Sequence, residues 1–404
     1  MQLSSVLNAE EAPPSPDARP VRRIAVVDWN VTRMSPAGST ILAIVSGLHS
    51  RFRFRVVAAY FENPSPETVE HLHVPLPRAP SFIKELCWPY IVGLAFRLRR
   101  QCGSPQALTW ATQGQLPGAK LVSAHFCHLA YLRDQFPKSR TRGLRRLSRT
   151  LVHRHGAHLE RRAFELADVV VVPSKGLAEE LVRTYPFVRD KLTRIPNPVD
   201  TGSYLHKGTF DRLGARRLLE FPPDAVVFVF VALGDFARKG LEVAILALAR
   251  LQSEQARLLV VGGNAREISA FQTVAARADV ADKVRFVGLQ PDVRSFLWLS
   301  DVFVLPSAYE AFPLVTLQAA AAGLPLIVPP DLHGSSEFLQ DGINGWFAAR
   351  TVDDVAAAMR TAVESSSELP EMGRRARRAV EPFDSRFFVE RWGELFERLL
   401  TEPA

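Results

Sequence analysis

Short apolar, β-branched runs without polar alternation recur along this chain, and each is followed by a stretch with helical spacing. A strand with one face in water alternates apolar and polar residues. One buried on both faces does not, and such strands belong to parallel sheets covered by helices. In the first half the runs are RRIAVV (22–27), FRVVAA (54–59), KLVSAH (120–125) and DVVVVPS (168–174). In the second they are VVFVFVAL (226–233), RLLVVGG (257–263), VRFVGL (284–289), DVFVLPS (301–307) and LPLIVP (324–329). Between the two series, LTRIPNPVDTGSY (192–204) carries two prolines, Asn197 and Asp200, which interrupt either periodicity. The pattern predicts two doubly wound α/β domains over 22–195 and 205–382, joined by a linker at 196–204. A Pro-rich arm, 1–21, precedes them. At the other end SRFFVERWGELFERLL spaces Phe387, Phe388, Trp392, Leu395, Phe396 and Leu399 for an amphipathic helix that closes the fold over 383–404.

A length of 404 residues, 47% of them hydrophobic, suffices for a core in each domain. The arm has no apolar stretch of signal-peptide type, so the expected compartment is the cytoplasm. Cys87, Cys102 and Cys127 lack metal-ligand spacing and read as reduced packing residues. Charge divides unevenly: residues 1–200 hold 28 Lys and Arg against 16 Asp and Glu, whereas residues 201–404 hold 22 against 26. The basic half is expected to meet something anionic, a phosphate, a membrane surface or nucleic acid. No aromatic-interleaved basic motif supports nucleic acid. No G-x-G-x-x-G follows a strand, since VVGGNAR does not fit, and this removes the usual mark of a nicotinamide dehydrogenase.

Ligands of open α/β sheets sit outside the carboxyl ends of the strands. Glu310, in PSAYEAFPLVTLQ, lies at such an end, between an apolar strand and an apolar helix. Pro313 suits the first position of that helix, and the free N–H groups near 314–316 then favour a phosphate. A carboxylate that merely complements the helix dipole is the bland alternative.

The stretch 284–348 (VRFVGL through NGWFA), with VALGDFARKGLEVAILALARL (231–251) upstream, resembles the C-terminal domain of family 4 glycosyltransferases, retaining enzymes of the GT-B fold. Its basic loop is most similar to that of lipopolysaccharide-core glucosyltransferases. In the N-terminal half SPAGSTILAIVSGLHSRF (35–52), SAHFCHLAYL (123–132), LERRAFELADVVVVPSKGLAEEL (159–181) and RIPNPVD (194–200) carry a thinner likeness. The resemblance implies two Rossmann-like domains facing across a cleft, with a nucleotide-diphosphate sugar as donor. By it, Glu310 matches the first glutamate of an E-x7-E motif and meets donor-sugar hydroxyls. Arg238 and Lys239 grip the pyrophosphate, where fixed cations and helix N-termini stabilise the departing oxygen without a metal. No D-x-D tripeptide occurs. His125 lies where relatives place a cleft histidine beside sugar and acceptor, with His128 as its neighbour. Gly38 falls in the first strand-to-helix turn near the donor phosphates, Ala37 replacing a more usual glycine. Phe312, Leu314 and Val315 join it as donor-binding positions. Gln318 stands where the family has a ribose-binding glutamate, and the amide weakens that contact without abolishing it.

A retaining hydrolase needs two carboxylates about 5 Å apart across the bond, and the cleft motif offers one. The resemblance implies transfer of a sugar to a glycan or lipid-linked acceptor in cell-surface polysaccharide or lipopolysaccharide synthesis. A nucleotide-sugar 2-epimerase of the same architecture, or a non-catalytic relative, is the alternative. Two basic stretches, 82–100 with Trp88, Tyr90, Arg97, Arg99 and Arg100, and 139–162 with Leu144, Leu147 and Leu151 among arginines, read either as core helices with solvated faces or as peripheral contacts with anionic lipid.

Overall fold

The computed structural model describes residues 22–100, 107–138, 143–206, 208 and 210–401. The arm at 1–21, Cys102, residues 139–142 of the arginine-rich run and the side chains of Arg97, Arg99 and Arg100 lie outside the described residues.

The N-terminal sheet contains β1 (Arg23–Val27), β2 (Arg53–Ala58), β3 (Val69–His73), β4 (Leu108–Thr112), β5 (Leu121–Ser123), β6 (Val169–Val172) and β7 (Leu192–Arg194). Its spatial order is β3-β2-β1-β4-β5-β6-β7, every pairing parallel. The C-terminal sheet contains β8 (Val226–Ala232), β9 (Ala256–Gly262), β10 (Val284–Gly288), β11 (Val302–Val304), β12 (Leu326–Val328) and β13 (Gly345–Phe347), ordered β10-β9-β8-β11-β12-β13 and likewise parallel. Two parallel-sheet α/β domains result, the GT-B arrangement. All seven residues of β8 are buried, as an unbroken VVFVFVA run requires when helices cover both faces.

Within these two sheets four of the described strands escape the apolar-run criterion. β3, β7 and β13 are short edges of mixed composition, where one side of the ladder meets no neighbour. β4, LTWAT, is interior yet rich in threonine: Trp110 packs on Trp392 with ring centroids 4.6 Å apart and donates its Nε1–H to Ser123 Oγ at 3.0 Å.

The helix Ser385–Thr401 packs on the N-terminal domain, not on the domain that precedes it in the chain. Phe388, Trp392, Leu395 and Phe396 are buried with Ile24, Phe52, Phe54 and Trp110. Gly47, on the helix Pro36–Leu48, permits the approach, because a Cβ there would lie 2.5 Å from Val389. The chain thus crosses between domains twice, and the crossings touch: Ser385 N donates to Val199 O at 3.0 Å, and Thr201 Oγ1 to Asp384 Oδ2 at 2.5 Å.

Candidate active site

β8 and β11 are neighbours, and the loops leaving their carboxyl ends form one unit. Gly240 closes the first loop at φ 85°, where a Cβ would stand 2.0 Å from the carbonyl oxygen of Pro306, so only glycine lets the loops meet. Ala308 N donates to Arg238 O at 2.9 Å and Arg238 Nη1 to Tyr309 O at 2.6 Å. Arg350 ties both loops together, giving Nε–H to Pro306 O at 3.0 Å and Nη2–H to Ala237 O at 2.9 Å.

This welding brings Glu310, Arg238 and Lys239 together. Glu310 Oε1 accepts from Lys239 Nζ, from Arg238 Nη1 at 3.3 Å and from Ser307 Oγ at 2.8 Å. The side chains of Glu310, Lys239 and Arg238 are 12%, 17% and 23% exposed, so water screens the group only weakly. Burial pushes the Glu310 carboxyl up, but the two cations and its hydrogen bonds prevail and hold it below its ordinary value, ionised. Burial pulls the Lys239 ammonium down more than the shared carboxylate lifts it. Arg238 is also pulled down by burial, yet Glu310 and Asp235 together raise it.

Pro313 is the N-cap of the helix Leu314–Ala321 and not its first residue. Thr316 N donates to Pro313 O at 3.1 Å, which leaves the amides of Leu314 and Val315 as the open donors of the first turn. Gln318 is half-buried, and its side chain has no hydrogen bond among the described residues. The Phe312 ring belongs to the core instead, against Phe338 and Phe383, so at this position only the backbone belongs to the turn. Gly38 serves close packing: its Cβ would stand 2.2 Å from Asn30 O, and its N–H is taken by Ser35 Oγ at 3.1 Å. His125 is half-buried just beyond β5, with no hydrogen bond to its ring among the described residues, and burial pushes its pKa down to about 4.

The facing wall comes from the N-terminal domain, and its contacts escape sequence reading. Arg149, on the helix Gly143–Leu166, pairs with Asp235 at 3.3 Å. His153, one turn on, lies with Nδ1 3.0 Å from Nδ1 of His128, so one ring donates and the other accepts. Burial lowers both, His153 to about 4 and His128 to about 3, with neighbouring cations and histidines adding to it. Tyr131 and Phe126 pack on His153 and on Tyr309. Tyr309 OH donates to Glu180 Oε2 at 2.5 Å and accepts from Cys127 N at 3.1 Å, while His333 Nε2 lies 3.8 Å from Glu180 Oε1. Ser174 Oγ donates to Ala311 O at 2.6 Å and Asn197 Nδ2 to Phe312 O at 2.9 Å. The Glu310 loop is therefore clamped from both domains. Glu160, fully buried, takes hydrogen bonds from Tyr185 OH and His128 N, and burial pushes its carboxyl up to about 8. One signal of these acids was readable: Glu180 shares the buried face of its helix with Leu177 and Leu181, where an acid without a partner is unfavourable.

Among the described residues no group of three or more His, Cys, Asp or Glu is placed to hold a metal, and no helix is long and apolar enough to cross a membrane.

Two family models match the chain, "Glycosyltransferase Family 4" over residues 37–203 and "Glycosyl transferases group 1" over residues 226–365. A lipopolysaccharide core biosynthesis glycosyltransferase, LpsE of Rhizobium meliloti, is 32% identical over 176 residues, 41% of this chain and 50% of that protein. An uncharacterized glycosyltransferase of Methanocaldococcus jannaschii is 28% identical over 197 residues, 48% of this chain and 50% of the relative. The chain thus spans about half the length of these curated relatives. Among solved structures, WaaG, a glycosyltransferase involved in lipopolysaccharide biosynthesis, superimposes with a TM-score of 0.76 at 18% identity, over 92% of this chain and 99% of that one. HepE of Anabaena in complex with UDP-glucose gives 0.70 at 16% identity, over 93% and 99%. At such identities these two structures speak for the fold.

Proposed function

Because the chain belongs to the family 4 glycosyltransferases with the GT-B fold, we propose that it transfers a hexose, with retention, from a nucleoside-diphosphate sugar to an acceptor of cell-surface glycan synthesis. One observation carries the reading: an ionised, shielded Glu310 bound by Arg238 and Lys239 at the joined carboxyl ends of β8 and β11. In this reading the donor diphosphate seats on the two cations and on the amides of Leu314 and Val315. Glu310 then exchanges Lys239 for hydroxyls of the sugar. As the bond from the anomeric carbon to the phosphate oxygen breaks, its electron pair goes to that oxygen, where the cations stabilise it. The acceptor hydroxyl adds on the same face and passes its proton to the same phosphate oxygen. No metal is assigned a part. His125, neutral at pH 7 by its lowered pKa, hydrogen-bonds sugar or acceptor in this reading. UDP-glucose, the ligand named for the Anabaena structure, is the first donor to try.

A lipid-linked acceptor, met from the cytoplasmic face of a membrane, is supported by three exposed leucines. Leu144, Leu147 and Leu151 are 85%, 57% and 49% exposed along one face of Gly143–Leu166. Sedimentation with phosphatidylglycerol vesicles at low and high salt tests that contact, and no binding at low salt removes it. The transfer reading is tested by calorimetry and turnover with UDP-, GDP- and ADP-glucose. Binding without turnover for every donor makes the protein a non-catalytic relative, the outcome toward which Gln318 points. Release of a 2-epimerised sugar instead of transfer makes it an epimerase.

A further inference from the structure

Resting on the transfer reading, we propose that Arg149 is a positioning residue of this site: from the N-terminal domain it fixes Arg238 through the carboxylate of Asp235. Arg238 spends two of its three nitrogens on the protein, Nε on Asp235 Oδ2 at 2.9 Å, and Nη1 on Tyr309 O at 2.6 Å and Glu310 Oε1 at 3.3 Å. Nη2 has no hydrogen-bond partner among the described residues. It is the N–H group left to meet a phosphate oxygen, and its direction follows from where Asp235 holds the other end of the guanidinium.

Asp235 is itself constrained. Its backbone is left-handed, φ 57°, and its amide donates to Glu267 Oε1 at 2.8 Å. The second carboxylate oxygen, Oδ1, pairs with Arg149 Nη2 at 3.3 Å. One carboxylate thus joins two guanidinium groups that belong to different domains.

The bridge has two physical effects. With a single partner, Asp235 would neutralise Arg238 and draw it off an incoming anion. Shared with Arg149, it holds Arg238 less tightly, and more of the positive potential remains for the diphosphate. Arg149, Asp235 and Arg238 are 29%, 27% and 23% exposed, too shielded for this to be an ordinary surface pair. Because Arg149 arrives on Gly143–Leu166, the arrangement exists only while the two domains are together. The cation is aimed when the cleft is closed, which ties leaving-group stabilisation to domain approach.

A double-mutant cycle on the full chain tests this, using R149A, D235N and the double variant, with R149K as the conservative change. Thermal denaturation without ligand reads the bridge itself. The expected result is that R149A and D235N each lower Tm and that the double variant's shift is smaller than the sum of the two single shifts. Additive shifts mean that the pair does not form in solution, and overturn the proposal. Turnover of UDP-glucose reads the consequence. R149A is expected to lose about tenfold in kcat with a smaller change in KM, R149K to regain part of it, and R149A/D235N to be no slower than D235N. Wild-type kcat in R149A overturns the proposal, and so do losses that multiply in the double variant, since Arg149 then acts on substrate by itself. If the wild-type protein consumes none of UDP-, GDP- and ADP-glucose, the transfer reading falls, while the denaturation cycle still decides the bridge.

Discussion

The two walls of the cleft are built by different rules. On the C-terminal side Glu310, Arg238 and Lys239 come from two adjacent loops, and their contacts with one another lie within residues 235–240 and 306–310, braced by Arg350. On the N-terminal side Arg149, His153, Tyr131 and Glu180 come from three segments, and most of them act by touching the other domain. A compact motif carries the same chemistry wherever its strand and helix are kept. A wall assembled from separated side chains has no such linear record. On the proposed reading, the C-terminal wall marks the reaction and the N-terminal wall sets the geometry in which it runs.

The largest effect expected from separating the two is on stability. Trp392→Ala should remove about 3 to 5 kcal/mol, because the ring is buried against Trp110 and Phe396. The loss should fall on the N-terminal domain, read as early amide exchange in β1, β2 and β4 while β8 and β9 stay protected. Equal exchange in both sheets would show that the domains unfold as one.

Arg238→Ala should lower kcat by about 10² to 10³, the range for deleting one fixed donor to a developing oxyanion, with the fold retained. A wild-type kcat ends the phosphate assignment. Glu310→Gln keeps the shape but removes the charge beside the sugar, and should lower kcat/KM by about 10- to 100-fold, the value of a charge-assisted hydrogen bond.

The fourth prediction concerns the N-terminal wall alone. His153 has its pKa lowered to about 4 in the folded protein. A lowered histidine contributes stability that is complete above the unfolded value near 6.5 and is lost as pH falls toward the folded one. Glu160 runs the other way, because its raised carboxyl makes folding easier as pH falls. The difference between proteins isolates the histidine: from pH 7 to pH 5 the Tm of His153→Gln should fall less than that of the wild type. Equal falls would place His153 in water. The smallest effect is that of Gln318→Glu, which should tighten binding of free UDP by about 1 kcal/mol if position 318 faces the ribose. Calorimetry without the sugar reads it directly, and unchanged affinity removes that contact.

Much of this architecture was legible in the chain. Strands covered on both faces announce themselves as unbroken apolar runs, and β8 is such a run. The interior β4 was hidden because its threonines and its tryptophan answer to specific partners, Ser123 among them, and not to a generic core. The pairing of Glu310 with Arg238 and Lys239 follows from two quoted motifs once β8 and β11 are neighbours. Arg149 was concealed for a different reason. It sits in a run of arginines whose helix turns its leucines outward, and nothing in composition marks out the guanidinium that meets Asp235 from its neighbours. The inward turn of the Phe312 ring was not legible, because a motif fixes a backbone position but not the direction of the ring.

The helix Ser385–Thr401 has a consequence for how the protein is made. The surface it covers, with Phe52, Phe54 and Trp110, belongs to strands synthesised among the first hundred or so residues. At about 5 to 20 residues per second, some 10 to 40 s separate completion of β7 from emergence of that helix. Throughout that interval the nascent chain displays an unfinished aromatic face, the kind of surface that chaperones hold. Its final turns end that exposure, so a ribosome that stalls late leaves behind not a shortened second domain but an incomplete first one.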